Sequence, residues 1–117
     1  MSAGSARGVV LHVSEGAAEK HRAVLRNALN LLPGLQPGIP VEVVVHGEAL
    51  ALALRGAPAG EALAEAQAAG VRLVACRNSM RSAAVGEDDL APGVVVVPSG
   101  VGHLVARQFD GWAYLRP

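Results

Sequence analysis

Short apolar runs alternate along the chain with longer stretches whose apolar residues recur every three or four positions. The runs are "GVVLHV" at 8–13, "VEVVVHG" at 41–47, "VRLVAC" at 71–76, "VVVVP" at 94–98 and "WAYLR" at 112–116. Near-continuous, β-branched runs of this length predict strands buried on both faces. Between the first two, residues 17–32 place His21, Val24, Leu25, Ala28, Leu29 and Leu32 on one helical stripe. Ser14 is the candidate cap for that helix, with Glu15 and Glu19 near its positive end. The segment "PGLQPGIP" at 33–40 cannot continue a helix and ends it. Further helices are predicted over 48–55 and about 59–69, a helical turn over 77–84, and a helix over 100–109 carrying Val101, Leu104, Val105, Gln108 and Phe109. Strands separated by helix-length segments mean a parallel sheet covered by helices, an α/β fold in three layers.

The 117 residues suit one domain, expected over 8–117 behind a flexible 1–7. A hydrophobic content of 51% fills a core of Val, Leu and Ala, because the aromatic residues Phe109, Trp112 and Tyr114 all lie near the C-terminus. Ten basic and ten acidic residues give zero formal charge, which argues against a nucleic-acid partner. Weak charge repulsion between copies favours self-association. No run approaches the roughly 20 apolar residues that span a bilayer, and no signal peptide is visible, so a soluble cytoplasmic protein with no membrane partner is expected.

In open α/β sheets ligands gather beyond the carboxyl ends of the strands. That rule selects Ser14-Glu15, His46-Gly47, Cys76-Arg77-Asn78 and Ser99-Gly100. Cys76, the single cysteine, is either a thiol activated by Arg77, Arg81 and the start of a helix, or a small buried hydrophobe. His46 is a candidate acid or base. His12, inside a strand, and His21, on an apolar helical face, read as satisfied core histidines. "PSGVGHL" at 98–104 offers a strand-to-helix turn whose Ser99 and Gly100 are suited to an anion, or to close packing alone. "EDD" at 87–89 reads as a solvated acidic loop. No histidine or cysteine pair has the close spacing of a zinc pattern, so no metal is expected.

Taken in order, "VVLHVSE", "VEVVVHGEAL", "GVRLVACRNSMRS" and "DDLAPGVVVVPSGVGHLVARQFDGWAYLRP" resemble the DsrE/DsrF-like family, a group that includes sulfur-relay proteins. The resemblance runs from about residue 8 to the end. It implies a five-stranded parallel sheet of lateral order 4-3-2-1-5, and homo-oligomers, commonly trimers or hexamers. It also implies a persulfide on the cysteine that follows the third strand, here Cys76. Arg77 and Asn78 would support the anion and His46 would assist proton transfer. No cofactor is needed, and the partners would be proteins that donate and accept sulfur. The alternative is a non-enzymatic oligomer that binds a small anion at Ser99, Gly100, Ser14 and His46, with Cys76 structural. A purely structural or regulatory subunit is a third reading.

Overall fold

The computed structural model describes residues 7–117; the expectation of a flexible N-terminus falls almost wholly on residues 1–6, outside the described residues. Five strands form one parallel sheet: β1 (Val9–Val13), β2 (Val41–Val45), β3 (Arg72–Cys76), β4 (Val95–Val97) and β5 (Ala113–Leu115). Their lateral order is β4-β3-β2-β1-β5. The chain therefore steps outward from β1 to β4 and then returns across the sheet to lay β5 beside β1. This makes β1/β5 the topological switch point.

Side-chain alternation divides the strand residues between two faces. Val9, Leu11, Val13, Val41, Val43, Val45, Leu73 and Ala75 point to one face and join the main core. Helices α1 (Ala18–Leu31) and α2 (Gly60–Ala68), a 3-10 segment at Gly47–Ala53 and the six-residue α3 (Arg77–Ser82) supply its other half through Val24, Leu25, Leu63, Leu52 and Met80. Val10, Val44 and Val74 point to the opposite face and meet Leu104 of α4 (Gly100–Phe109). The third layer is this single helix, lying across β1, β2, β3 and β5. As a result the outer strands are thinly covered on that face: Tyr114 on β5 and Val95 on β4 are exposed, and so are Val101, Val105 and Phe109 on α4; Leu115, in register with Leu11, is exposed on the other face.

Two local expectations are corrected. Ser14 does not cap α1, whose N-cap is Ala17 without a side-chain bond; the Ser14 hydroxyl instead accepts from Arg116 at 2.9 Å. The second strand stops at Val45, because Gly47 takes a left-handed φ of +57° and turns the chain into the 3-10 segment. His21 is buried, and its Nε2 donates to the Glu15 carbonyl at 2.6 Å, closing the loop before α1.

Among the described residues no helix is long and apolar enough to cross a membrane.

Candidate active site at the carboxyl edge of the sheet

Cys76 is the last residue of β3 and the N-cap of α3. The register Val45↔Ala75 makes the next residues, His46 and Cys76, neighbours on the α4 face. Gly100, the first residue of α4, closes over both: a Cβ placed on it would lie 3.1 Å from Cys76 Cβ and 3.3 Å from His46 Cβ. Glycine at this position of the "PSG" turn thus permits a close approach that any side chain would crowd. Ser99 caps α4 by accepting from the Gly102 amide at 3.0 Å, which engages its hydroxyl within the helix.

The thiol is 5% exposed. Burial alone pushes a thiol up in pKa, but the Ser79 hydroxyl, then the amides of Gly100, Ser79 and Asn78, outweigh it and hold Cys76 below its ordinary value. The sulfur takes no helix-cap bond of standard geometry from α3. Donors instead converge on it from two elements. Ser79 is itself fixed, since its oxygen accepts from the Gly47 amide at 2.8 Å and its proton is left to donate. A cleft of about 480 Å³ opens alongside, lined by Gly47, Glu48, Asn78, Ser79, Ser82 and Ala83.

Arg77 does not turn toward the sulfur. Its guanidinium donates to the Glu87 carboxylate at 2.9 Å, so the "EDD" segment, a 3-10 turn, serves to hold this arginine away. The cationic support expected for the thiolate is thus replaced by neutral hydrogen-bond donors.

Two polar groupings on the α4 face escaped the sequence reading. The first joins His46, His12 and Tyr114: the two Nε2 atoms are 2.7 Å apart, and His12 Nδ1 is 2.6 Å from the Tyr114 hydroxyl. His12 is therefore partly exposed and part of the sheet edge, not a core histidine. Burial, with the neighbouring His46 and Arg116, lowers its pKa against the opposing pull of Glu15. Arg116 ties this end of β5 to β1 by donating to the His12 carbonyl, Ser14 and Glu15.

The second grouping surrounds Glu42, the second residue of β2, which is 2% exposed. Arg107 grips its carboxylate with two bonds of 3.1 and 2.8 Å, His103 lies at 2.7 Å and Arg72 at 3.5 Å. Burial raises such a carboxyl, but Arg107 and His103 prevail and Glu42 titrates below the usual carboxylate range. Arg107 also lies 4.1 Å over the Trp112 ring, which in turn fills the space a side chain at Gly8 would need. This cluster fastens α4 to the sheet and so fixes Gly100 against Cys76. Its one sequence signal is a lone acid inside an apolar strand.

A parallel 4-3-2-1-5 sheet with a donor-supported cysteine closing its third strand narrows the choice of family, and the comparisons decide it: residues 6–117 match the DsrE/DsrF-like family. The chain belongs to that family. This DsrE-like chain is 38% identical to MTH1491 from Methanobacterium thermoautotrophicum, a protein of unknown function, with a TM-score of 0.87 over 93% of this chain and 97% of that one. The ychN protein from E. coli shares the fold at 16% identity, with a TM-score of 0.78 over 95% and 99% of the two chains. No curated protein matches the DsrE-like chain in sequence. Among its described residues, no three His, Cys, Asp or Glu side chains gather as a metal site would require.

Proposed function

We propose that this DsrE-like protein is an intracellular sulfur carrier that holds a persulfide on Cys76. The family is generally linked to sulfur relay, which supports the class of chemistry. The observation that carries the reading is a nearly buried thiol at the end of β3, set between Ser79 of α3 and Gly100 of α4, whose donors draw its pKa down with no arginine turned toward it. A thiol kept only for packing gains nothing from such donors; a thiolate or persulfide anion does.

In the loading step the Cys76 sulfur attacks the outer sulfur of a donor persulfide R–S–SH. A new S–S bond forms on Cys76, the donor S–S bond breaks, and its electron pair leaves on the donor sulfur. The proton lost by Cys76 is returned to that sulfur, giving Cys76–S–SH and R–SH with no net oxidation. Release to an acceptor thiol reverses the sequence. His46, beside Cys76, is the residue we assign as base and acid. The cleft along Asn78, Ser79 and Ser82 is where the partner's sulfur-bearing segment enters.

The anion-binding alternative is less well supported. Ser99 is engaged as a cap, Ser14 is held by Arg116, and the cleft carries the Glu48 carboxylate. The test is the intact mass of native protein after exposure to a persulfide donor, beside Cys76→Ser. A gain of one sulfur confined to the wild type supports a carrier.

We further propose a homo-oligomer that covers Val101, Val105 and Phe109 on α4, which the single-helix layer leaves exposed. Light scattering should show more than one chain per particle, and Phe109→Asp should lower that number. A monomeric wild type would end this part of the reading.

A further inference from the structure

His46, His12 and Tyr114 are contributed by β2's end, β1 and β5, and their side chains form an unbroken line along the carboxyl edge of the sheet. The line begins beside Cys76 and ends at the β1/β5 switch point, where open α/β sheets form their ligand crevice. Each histidine has two ring nitrogens and the tyrosine one oxygen that can both donate and accept, and the two contacts of 2.7 and 2.6 Å use one nitrogen of His46, both of His12 and the oxygen of Tyr114. The geometry admits two complementary proton arrangements. In one, Tyr114 donates to His12 Nδ1, His12 Nε2 donates to His46 Nε2, and His46 carries its proton on Nδ1. In the other every bond is reversed, and His46 Nδ1 is bare. No described side chain bonds that Nδ1, and it is not sealed from solvent.

We propose that His46, His12 and Tyr114 form one proton path serving the Cys76 site. A proton taken up at His46 Nδ1 displaces the Nε2 proton to His12 Nε2. The His12 Nδ1 proton then passes to the Tyr114 oxygen, and the tyrosine's own proton leaves to solvent. One proton enters, one departs, and no charge remains; the reverse passage returns a proton to a departing sulfur. The path's use in sulfur transfer rests on the carrier reading given above.

The groups facing it agree with this role. Arg116 and Glu15 flank His12 as a pair, and burial, first among the causes, lowers the His12 pKa, which disfavours a charge fixed on the middle ring. Cys76 flanks His46. The remaining charged groups on this face, Arg72, His103 and Arg107, are committed to Glu42. Tyr114 is 41% exposed, so its hydroxyl is an exit. His12 and Tyr114 act through His46 and are relay residues, not groups that touch sulfur.

Tyr114→Phe removes the exit and keeps the ring. Two measurements on the full chain judge it, with His12→Gln as a second variant. The first is side-chain ¹⁵N NMR of the histidines. Tyr114 bonds His12 and not His46, yet Tyr114→Phe should shift the tautomer balance of both rings, because their proton states are linked through the shared Nε2 contact. A His46 signal that ignores the substitution would overturn the path. The second is the single-turnover rate of loading from glutathione persulfide between pH 5 and 9. Both variants should reach the same final load as the wild type, about tenfold more slowly, with a reduced solvent deuterium effect. Wild-type rates in both variants would also overturn it. If the wild type takes no sulfur, the carrier reading fails by itself, and the NMR result alone then upholds or overturns the path.

Discussion

The two faces of the sheet are built on opposite terms. Toward α1 and α2, every strand position is aliphatic and the covering helices answer with aliphatic residues. Toward α4, the same strands present Glu42, His12 and Cys76 among the valines, with His46 just past the end of β2, under one helix of ten residues. Burying polar groups is costly unless they are hydrogen-bonded, and Glu42, His12 and His46 all are. The first face thus supplies folding free energy with no chemistry. The second spends part of its burial on holding reactive side chains in place. The same β-strand alternation produces both, since neighbouring residues of one strand serve opposite purposes.

The comparison breaks most severely from the apolar side. Leu11→Ala, at a site with no exposure, should lower unfolding free energy by about 3–4 kcal/mol, read from urea melts. The alkylation rate of Cys76 in the folded protein should stay unchanged, because Leu11 faces away from it. A large change in thiol reactivity would mean that the faces are not separable.

Glu42→Gln strikes the other face. The expected loss is about 2 kcal/mol, less than for a fully buried ion pair because Arg107 and Arg72 retain access to water. It should also slow Cys76 alkylation, since α4 carries the Gly100 amide. The sign with pH follows from a carboxyl held below 4.5: its contribution is complete above pH 4.5 and is lost as pH falls through the folded-state value. An acid-stability profile should show that loss in the wild type and a weaker one in Glu42→Gln. Identical acid limbs would refute the assignment.

The smallest effect sharpens the account at the sulfur. Ser79→Ala removes one hydrogen bond, about 1 kcal/mol, so the thiolate fraction near neutral pH should drop about fivefold in an iodoacetamide pH–rate profile. The Cys76 pKa should rise toward its ordinary value of 9.0.

Much of this fold was legible from local pattern. Apolar runs, proline-rich breaks and the 3.6-residue stripe located every strand and the principal helices, and residues 100–109 of α4 agree to the residue. The strand-end rule brought Ser14, His46, Cys76 and Ser99 to one edge, because polar residues begin where each buried strand stops. What local pattern does not carry is long-range pairing. His12 meets Tyr114 across 102 positions and Glu42 meets Arg107 across 65, so a strand histidine read as core and a lone acid drew no notice. Arg77 misled for a related reason: its sequence neighbour is Cys76, but its ion pair lies ten residues on, at Glu87.

The central claim is that Cys76 is a sulfur-accepting thiol and not a packing residue. The most direct measurement exposes native protein to glutathione persulfide and takes its intact mass, beside Cys76→Ser. One added sulfur per chain, absent from Cys76→Ser and removed by an acceptor thiol, is the predicted result. A mass unchanged in the native state, with a thiol that reacts only after unfolding, would contradict it.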